Sequence, residues 1–311
     1  MIANASKAFF HVLARSGTLK TLASRHGMRR STSFARRFIA GETVEEAIAA
    51  ARSVEAQGLT HTLDYLGESV GSLAEADAAT RDYLRVIDAI MQAGIGRNLS
   101  LKLTQLGLDV DRATAIDNLR RILDRADGFF VRLDMESSQY TDRTLDIVEM
   151  MWQQGYQHIG VVLQADLRRT EQDVDRIVAL GARIRLVKGA YREPASTAFP
   201  RKADVDAAYA RLIERLLVHS TYPAFATHDR AMIDVARRAA VAHDISPDRF
   251  EFQMLYGIRR DLQASLVAQG YRVRVYIPFG KQWFPYFMRR LGERPANIGF
   301  VLKGIWNERQ S

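Results

Sequence analysis

Residues 158–191 read HIGVVLQADLRRTEQDVDRIVALGARIRLVKGAY and hold one complete strand–helix–strand unit. Two apolar, β-branched runs, His158–Ala165 and Ile184–Tyr191, flank the helical pattern Thr170–Leu180. The alternation continues on both sides. Further strands are expected at Leu59–Leu66, Leu99–Leu106, Phe129–Met135, Ala224–Thr227, Phe250–Leu255 and Arg272–Ile277. Further helices are expected at Leu73–Gln92, Val110–Ala126, Thr141–Gln153, Asp204–His219, Ala231–Ala242 and Arg259–Ala268. Strands alternating with helices argue for parallel βαβ units. Eight such units make an α/β protein of the closed (β/α)8, TIM-like barrel kind. What remains after an N-terminal extension is close to the about 250 residues such a barrel needs. An open doubly wound sheet would want a Gly-rich phosphate turn after its first strand. That strand leads into Asp64-Tyr-Leu-Gly-Glu68 instead, and Gly94-Ile-Gly96 precedes a strand rather than following one. The expected organisation is an N-terminal helical arm over residues 1–55 and one barrel with C-terminal helices over residues 56–311.

Barrel chemistry gathers at the C-terminal ends of the strands. The polar residues there are Asp64 and Glu68, Lys102, Asp134, Gln164, Arg185 with Lys188 and Tyr191, Thr227 with His228, Gln253, and Tyr276. Any one of these is as readily a rim residue or a satisfied core group. Lys102 and Asp134 are the least comfortable as such. Each interrupts an apolar run, Leu101-Lys-Leu103 and Leu133-Asp-Met135, where an unpaired charge is expensive. Near the end of the chain, a helix from Trp283 to Arg294 places Tyr286, Arg289, Arg290 and Glu293 at i, i+3, i+4 and i+7, on one face. Two guanidinium forks make a bidentate clamp for a small carboxylate, and the ring beside them can pack on the apolar part of the same ligand. The plainer reading is a solvated face with an ordinary Arg/Glu pair.

Composition narrows the classes. Without cysteine there is no disulfide framework, thiol chemistry or iron–sulfur chemistry. The formal net charge of +8 would suit a nucleic acid or an anionic membrane. No zinc spacing, RNP-type string or basic heptad accompanies it, which argues against nucleic acid. No run approaches the about 18 apolar residues of a transmembrane helix.

In order along the chain stand Leu63-Asp-Tyr-Leu-Gly-Glu68, Ser100-Leu-Lys-Leu103, Leu133-Asp-Met-Glu136, Val162-Leu-Gln164, Arg185-Leu-Val-Lys-Gly-Ala-Tyr191, Ala226-Thr-His228, Phe250-Glu-Phe-Gln-Met-Leu255 and the Tyr276–Glu293 segment. With these the chain, from about Thr62 onward, resembles the monofunctional, bacterial-type proline dehydrogenases. These flavoenzymes oxidise L-proline to Δ1-pyrroline-5-carboxylate. The Arg-Leu-Val-Lys-Gly-Ala-Tyr string and the double-Arg helix are the specific motifs. The resemblance implies a (β/α) barrel holding FAD at the strand ends, with the last barrel helix over the substrate. It implies that Arg289 and Arg290 grip the substrate carboxylate with help from Lys102, and that Glu68 is a gate acid pairing with Arg289. Tyr276, Tyr286 and Leu255 would line the proline ring. Asp134 would sit beside flavin and substrate, and Arg185 at the flavin N5 edge. Met135 and Gln164 would touch the flavin ring. Lys188, Gly189, Ala190, Tyr191, Thr227, His228 and Glu293 would hold the rest of FAD. Arg192 and Asp229 depart from the Trp and Asn that many members carry, at positions that concern the dinucleotide. The chemistry needs no metal and no nucleophilic Ser or Cys.

Up to Gly41 the chain has no Asp or Glu and eight Lys or Arg, among them Arg29, Arg30, Arg36 and Arg37. An acid-poor, Arg- and Ser-rich start suits a mitochondrial targeting segment, an amphipathic membrane-surface helix, or short helices packed beside the barrel. The last is preferred, because similar helices precede the barrel in bacterial members. The resemblance further implies a membrane quinone as electron acceptor and a cytoplasmic protein with peripheral membrane contact. Two rivals remain. The first is the same chemistry on 4-hydroxyproline, for which relatives carry a smaller residue in place of Tyr286. The second is a barrel aldolase with Lys102 or Lys188 forming a Schiff base.

Overall fold

Eight parallel strands, each hydrogen-bonded to the next in chain order, close on themselves where the last meets the first in the computed structural model, which describes residues 34–293. The chain enters through a short 3-10 turn, Phe34–Arg37, and helix α1, Val44–Glu55. There follow β1 (Thr60–Tyr65), α2 (Leu73–Ala93), β2 (Asn98–Leu101), α3 (Arg112–Arg125), β3 (Phe130–Leu133) and α4 (Thr141–Gln153). Next come β4 (Ile159–Gln164), α5 (Thr170–Leu180), β5 (Arg183–Val187), α6 (Lys202–His219), β6 (Ala224–Ala226) and α7 (Arg230–Ala242). The sequence closes with β7 (Glu251–Leu255), α8 (Arg260–Ala268), β8 (Arg272–Phe279) and α9 (Trp283–Glu293). The barrel expected from the alternation is the barrel observed. Of the expected arm, residues 1–33 lie outside the described residues, as do residues 294–311 of the expected C-terminal helices; between 34 and 55 the chain forms the 3-10 turn and α1.

Local signals set the helix ends. Thr43 caps α1 in a reciprocal box with Glu46. Ser72 and Asp111 accept from the first-turn amides of α2 and α3. Most strands are shorter than the apolar runs expected for them, while β8 runs two residues further, to Phe279. Leu99–Leu106 reads as one strand, yet β2 ends at Leu101 and Leu103–Leu106 turns into a 3-10 helix. Ile184–Tyr191 likewise gives only β5, ending at Val187. Pairing stops where neighbouring strands part at the barrel mouth, and an apolar run does not record that point.

Successive strand residues face opposite sides. One set packs under the helices: Leu63, Leu99, Leu101, Val131, Leu133, Val161, Leu163, Ile184, Leu186, Phe252 and Val275 all belong to one buried apolar cluster. Burying each is worth roughly 1.5–3 kcal/mol. The alternate set is polar, and its members meet each other. Thr62 and Ser100 hydroxyls lie 3.5 Å apart, and Arg274 pairs with Glu251 at 2.8 Å. Arg132 donates to the carbonyls of Val161 and Arg183. Gly160 makes room for this, since a β-carbon there would press on the Arg183 carbonyl and the Phe130 ring. A barrel interior is usually filled by branched apolar side chains. Here the interior is polar and charged.

Candidate active site

At two neighbouring strands the first residue past the strand is charged. Lys102 follows β2 directly, and Asp134 follows β3, its amide still bonded to the Leu101 carbonyl at 2.8 Å. Lys102 Nζ lies 3.4 Å from Asp64 Oδ1 and 3.4 Å from Asp134 Oδ2. Arg185 Nη1 donates to Asp134 Oδ1 at 2.8 Å, and its Nη2 to Ser100 Oγ at 3.2 Å. Tyr276 Oη donates to Asp134 Oδ2 at 2.7 Å, while the Arg185 guanidinium lies over the Tyr276 ring, 5.4 Å from its centre. Asp134 therefore receives three donors from three strand ends.

Charge in this knot is nearly balanced, and burial makes each partner matter. Burial pushes the Asp134 carboxyl up, but the Lys102 and Arg185 charges outweigh it and hold its pKa below the usual carboxylate value. For Asp64, wholly buried, burial wins over Lys102 and its pKa is raised. Asp134 is the ionised member of the pair and Asp64 the one that tends to keep a proton. Burial alone would discharge Lys102; Asp64 and Asp134 reverse this and hold it charged. The Tyr276 hydroxyl is pushed well above its ordinary range by burial and by the carboxylates beside it.

A second group stands over the first. Arg289 Nη1 donates to Glu68 Oε1 at 2.6 Å, joining α9 to the loop after β1. Arg290 lies over the Tyr286 ring at 5.3 Å. Tyr286 is buried, within an apolar cluster that includes Leu66, Trp283, Phe284, Phe287 and Met288. Lys102 and Tyr191 feel the Glu68 charge, and Tyr191 that of Arg289. The clamp face of α9 and the strand-end knot thus share one neighbourhood.

A third group lies toward β5 and β6. Lys188 Nζ is held by Asp206 at 2.5 Å and by Asp229 at 2.6 Å. Asp229 also accepts from the Ala231 amide and starts α7. The acid at 229 is thus a counter-charge for Lys188. His228 Nε2 accepts from the Leu255 amide at 2.9 Å, and the Thr227 hydroxyl from the Asp229 amide at 3.0 Å. Gly189 has φ +114°, and a β-carbon there would run into the Asp166 carboxylate. Met135 is buried beside Asp134, and Gln164 donates to the Glu136 carbonyl at 3.0 Å. Ala190 and Arg192 are exposed. The Glu293 side chain lies outside the described residues.

Sequence alone assigns no role to Asp206 or Glu136 and places Asp64 only among the polar residues at the strand ends. Asp64 carries a signal, since it shares the inward phase of β1 with Thr62. Glu136 stands only in the Asp-Met-Glu string; its carboxylate accepts from the Thr104 hydroxyl at 2.6 Å, and burial pushes its pKa up to about 7.

Residues 47–303 match the profile of the family described as "Proline dehydrogenase". Proline dehydrogenase 2 of Bacillus subtilis (strain 168) is 42% identical over 302 residues, covering 96% of this chain and 98% of that one. Proline dehydrogenase of Deinococcus radiodurans is 44% identical over 277 residues, covering 87% of this chain and 89% of that one. Among solved structures, proline utilization A (PutA) from Bdellovibrio bacteriovorus superposes with a TM-score of 0.78 at 27% identity. The superposition covers 86% of this chain and 33% of that much longer one. By profile, by identity over nearly its whole length and by the shared barrel, the chain belongs to the proline dehydrogenase family.

Proposed function

We propose that this protein oxidises L-proline to Δ1-pyrroline-5-carboxylate at the C-terminal mouth of the barrel, with FAD as cofactor. The family implies a flavin and proline as substrate. The residues present fit a flavin. Arg185 is buried with its Nε unpartnered, and Gly189 leaves a cradle that a β-carbon would fill. Gln164, Met135 and Tyr276 line the same floor. When bound, the flavin supplies the two-electron acceptor for the hydride that leaves the ring carbon next to nitrogen. Arg185 places fixed positive charge where electron density arrives. Lys188, Gly189, Thr227 and His228 would hold the remainder of the cofactor.

Arg289 and Arg290 would grip the substrate carboxylate, and Lys102, kept charged by Asp64 and Asp134, adds to the field. That field favours the neutral amine over the ammonium, and only the neutral amine has the lone pair that forms the imine. Tyr276, Tyr286 and Leu255 would flank the ring. Glu68 across Arg289 closes the mouth and excludes water. The observation that carries this reading is the nearness of the Glu68–Arg289 pair, whose Glu68 charge acts on Lys102, to the knot formed by Asp134, Arg185 and Tyr276.

A Schiff-base aldolase is disfavoured by the same geometry. Such a lysine must lose its proton, whereas Lys102 is held charged and Lys188 sits between two aspartates. Tyr286 fills the space that hydroxyproline would need. No helix among the described residues is long and apolar enough to cross a membrane. Electrons would pass to a membrane quinone from a cytoplasmic protein in peripheral contact with the bilayer. The test is spectroscopic. The purified protein should carry a visible flavin band that anaerobic proline bleaches. A colourless protein that gains no activity with added FAD would overturn the reading.

A further inference from the structure

Glu68 is carried by residues 67–71, the connection from β1 to α2, and this connection is strained. Ser69 has φ +54° without being glycine, a left-handed conformation that crowds its β-carbon against the following carbonyl. Something must hold it. The Ser69 amide donates to Thr104 Oγ1 at 3.1 Å and the Val70 amide to the Thr104 carbonyl at 3.3 Å. With its amide turned to suit its neighbours, Gln105 donates to the Gly67 carbonyl at 3.1 Å. The 3-10 turn after β2 is thus the template for the loop.

Thr104 is itself aimed. Its hydroxyl has one proton, and it gives that proton to Glu136 Oε1 at 2.6 Å. A lone pair is left for the Ser69 amide. The Thr104 amide points at Glu136 Oε2 at 3.4 Å. Thr104 and Glu136 are both buried, with Thr104 wholly so. We infer that Glu136 is a positioning residue: acting through Thr104, it fixes the loop that presents Glu68 to Arg289, and so governs how firmly the mouth is closed.

The latch is strongest when Glu136 is a carboxylate, which accepts from both Thr104 donors. Burial raises its pKa to about 7, against the Thr104 bonds and the Lys102 charge and with a contribution from Glu68. Tyr83, Tyr140 and Tyr191 also face it and stay neutral in this range, each with its own pKa raised first by burial or by burial with a neighbouring acid. The two bonds from Thr104 offset part of the cost of burying this carboxylate, so the acid and the threonine are held as a pair.

This inference rests on the proposed role of the Glu68–Arg289 pair, so its test has a readout apart from turnover. Amide hydrogen exchange over residues 67–71 would be measured in the flavin-loaded enzyme. Thr104→Val should speed exchange there by about tenfold, the loss of one buried hydrogen bond. Glu136→Gln should do so by less, and Thr104→Ser should not. The KM for proline should rise severalfold in Thr104→Val while kcat changes little. Wild-type exchange at residues 67–71 in Thr104→Val and Glu136→Gln would overturn the latch. So would exchange in Thr104→Ser as fast as in Thr104→Val. If exchange behaves as expected but proline fails to reduce the flavin, the functional reading falls and the latch stands.

Discussion

Asp134 shows how single residues set this site. Its carboxylate collects Lys102, Arg185 and Tyr276, each within 3.4 Å. Removing one partner of such a buried set leaves the others uncompensated. The same argument applies over the mouth. Arg289 pairs with Glu68 and Arg290 lies on Tyr286, so Arg289→Met or Arg290→Met should remove half of a desolvated carboxylate clamp. The expected loss in kcat/KM for proline is on the order of 2–5 kcal/mol. Wild-type efficiency in both variants would mean that this face only meets solvent. On the proposed reading Tyr286 sets specificity. Tyr286→Ser should lower proline efficiency by opening a cavity. Hydroxyproline, whose hydroxyl then gains room and a partner, should lose less or gain. An unchanged ratio of kcat/KM for the two substrates would remove Tyr286 from the ring pocket.

At the scale of elements, α9 owes its position to the arm. Its first residue, Trp283, donates from Nε1 to Glu42 Oε1 at 2.9 Å. The Ala40 amide bonds to the Pro278 carbonyl, and the Gly280 amide to the Gly41 carbonyl, both at 2.9 Å. Phe38 packs on Phe287 with ring centres 6.4 Å apart, inside the cluster that holds Tyr286 and Met288. The residues just before the barrel thus seat the helix that carries the clamp. Phe38→Ala should cost roughly 3–5 kcal/mol at that contact. Because the main core lies elsewhere, the change should appear chiefly as faster amide exchange in α9 and a higher KM for proline. A global loss of stability with unaltered α9 exchange would show that the arm supports the barrel and not the helix.

At the scale of the molecule, the barrel closes through six paired residues between β1 and β8, Thr60↔Arg274 to Tyr65↔Phe279. On the proposed reading the cofactor binds at its mouth, and there it adds stability to the native state alone. Flavin removal should therefore lower the unfolding free energy by about 2.7 kcal/mol relative to a hundredfold excess of cofactor over Kd. Identical denaturant midpoints with and without FAD would contradict binding at the mouth. The alternation of strands and helices was legible in the chain, because a period of 2 or 3.6 is a local property that residues a few positions apart express. So was the discomfort of Lys102 and Asp134, since a charge inside an apolar run is visible without a fold. Which carboxylates face Lys102 was not. That follows from the register pairing Asp64 with Ser100 and Ser100 with Arg132 across neighbouring strands. Arg289 and Glu68 stand 221 positions apart, and by sequence only their family resemblance paired them. Glu136 had no role at all until Thr104 and the 67–71 loop met it. The sequence by itself determined the elements and the stock of charges. The tertiary structure decided where strands stop and which charges meet, because pairing and burial act between residues that the chain keeps far apart.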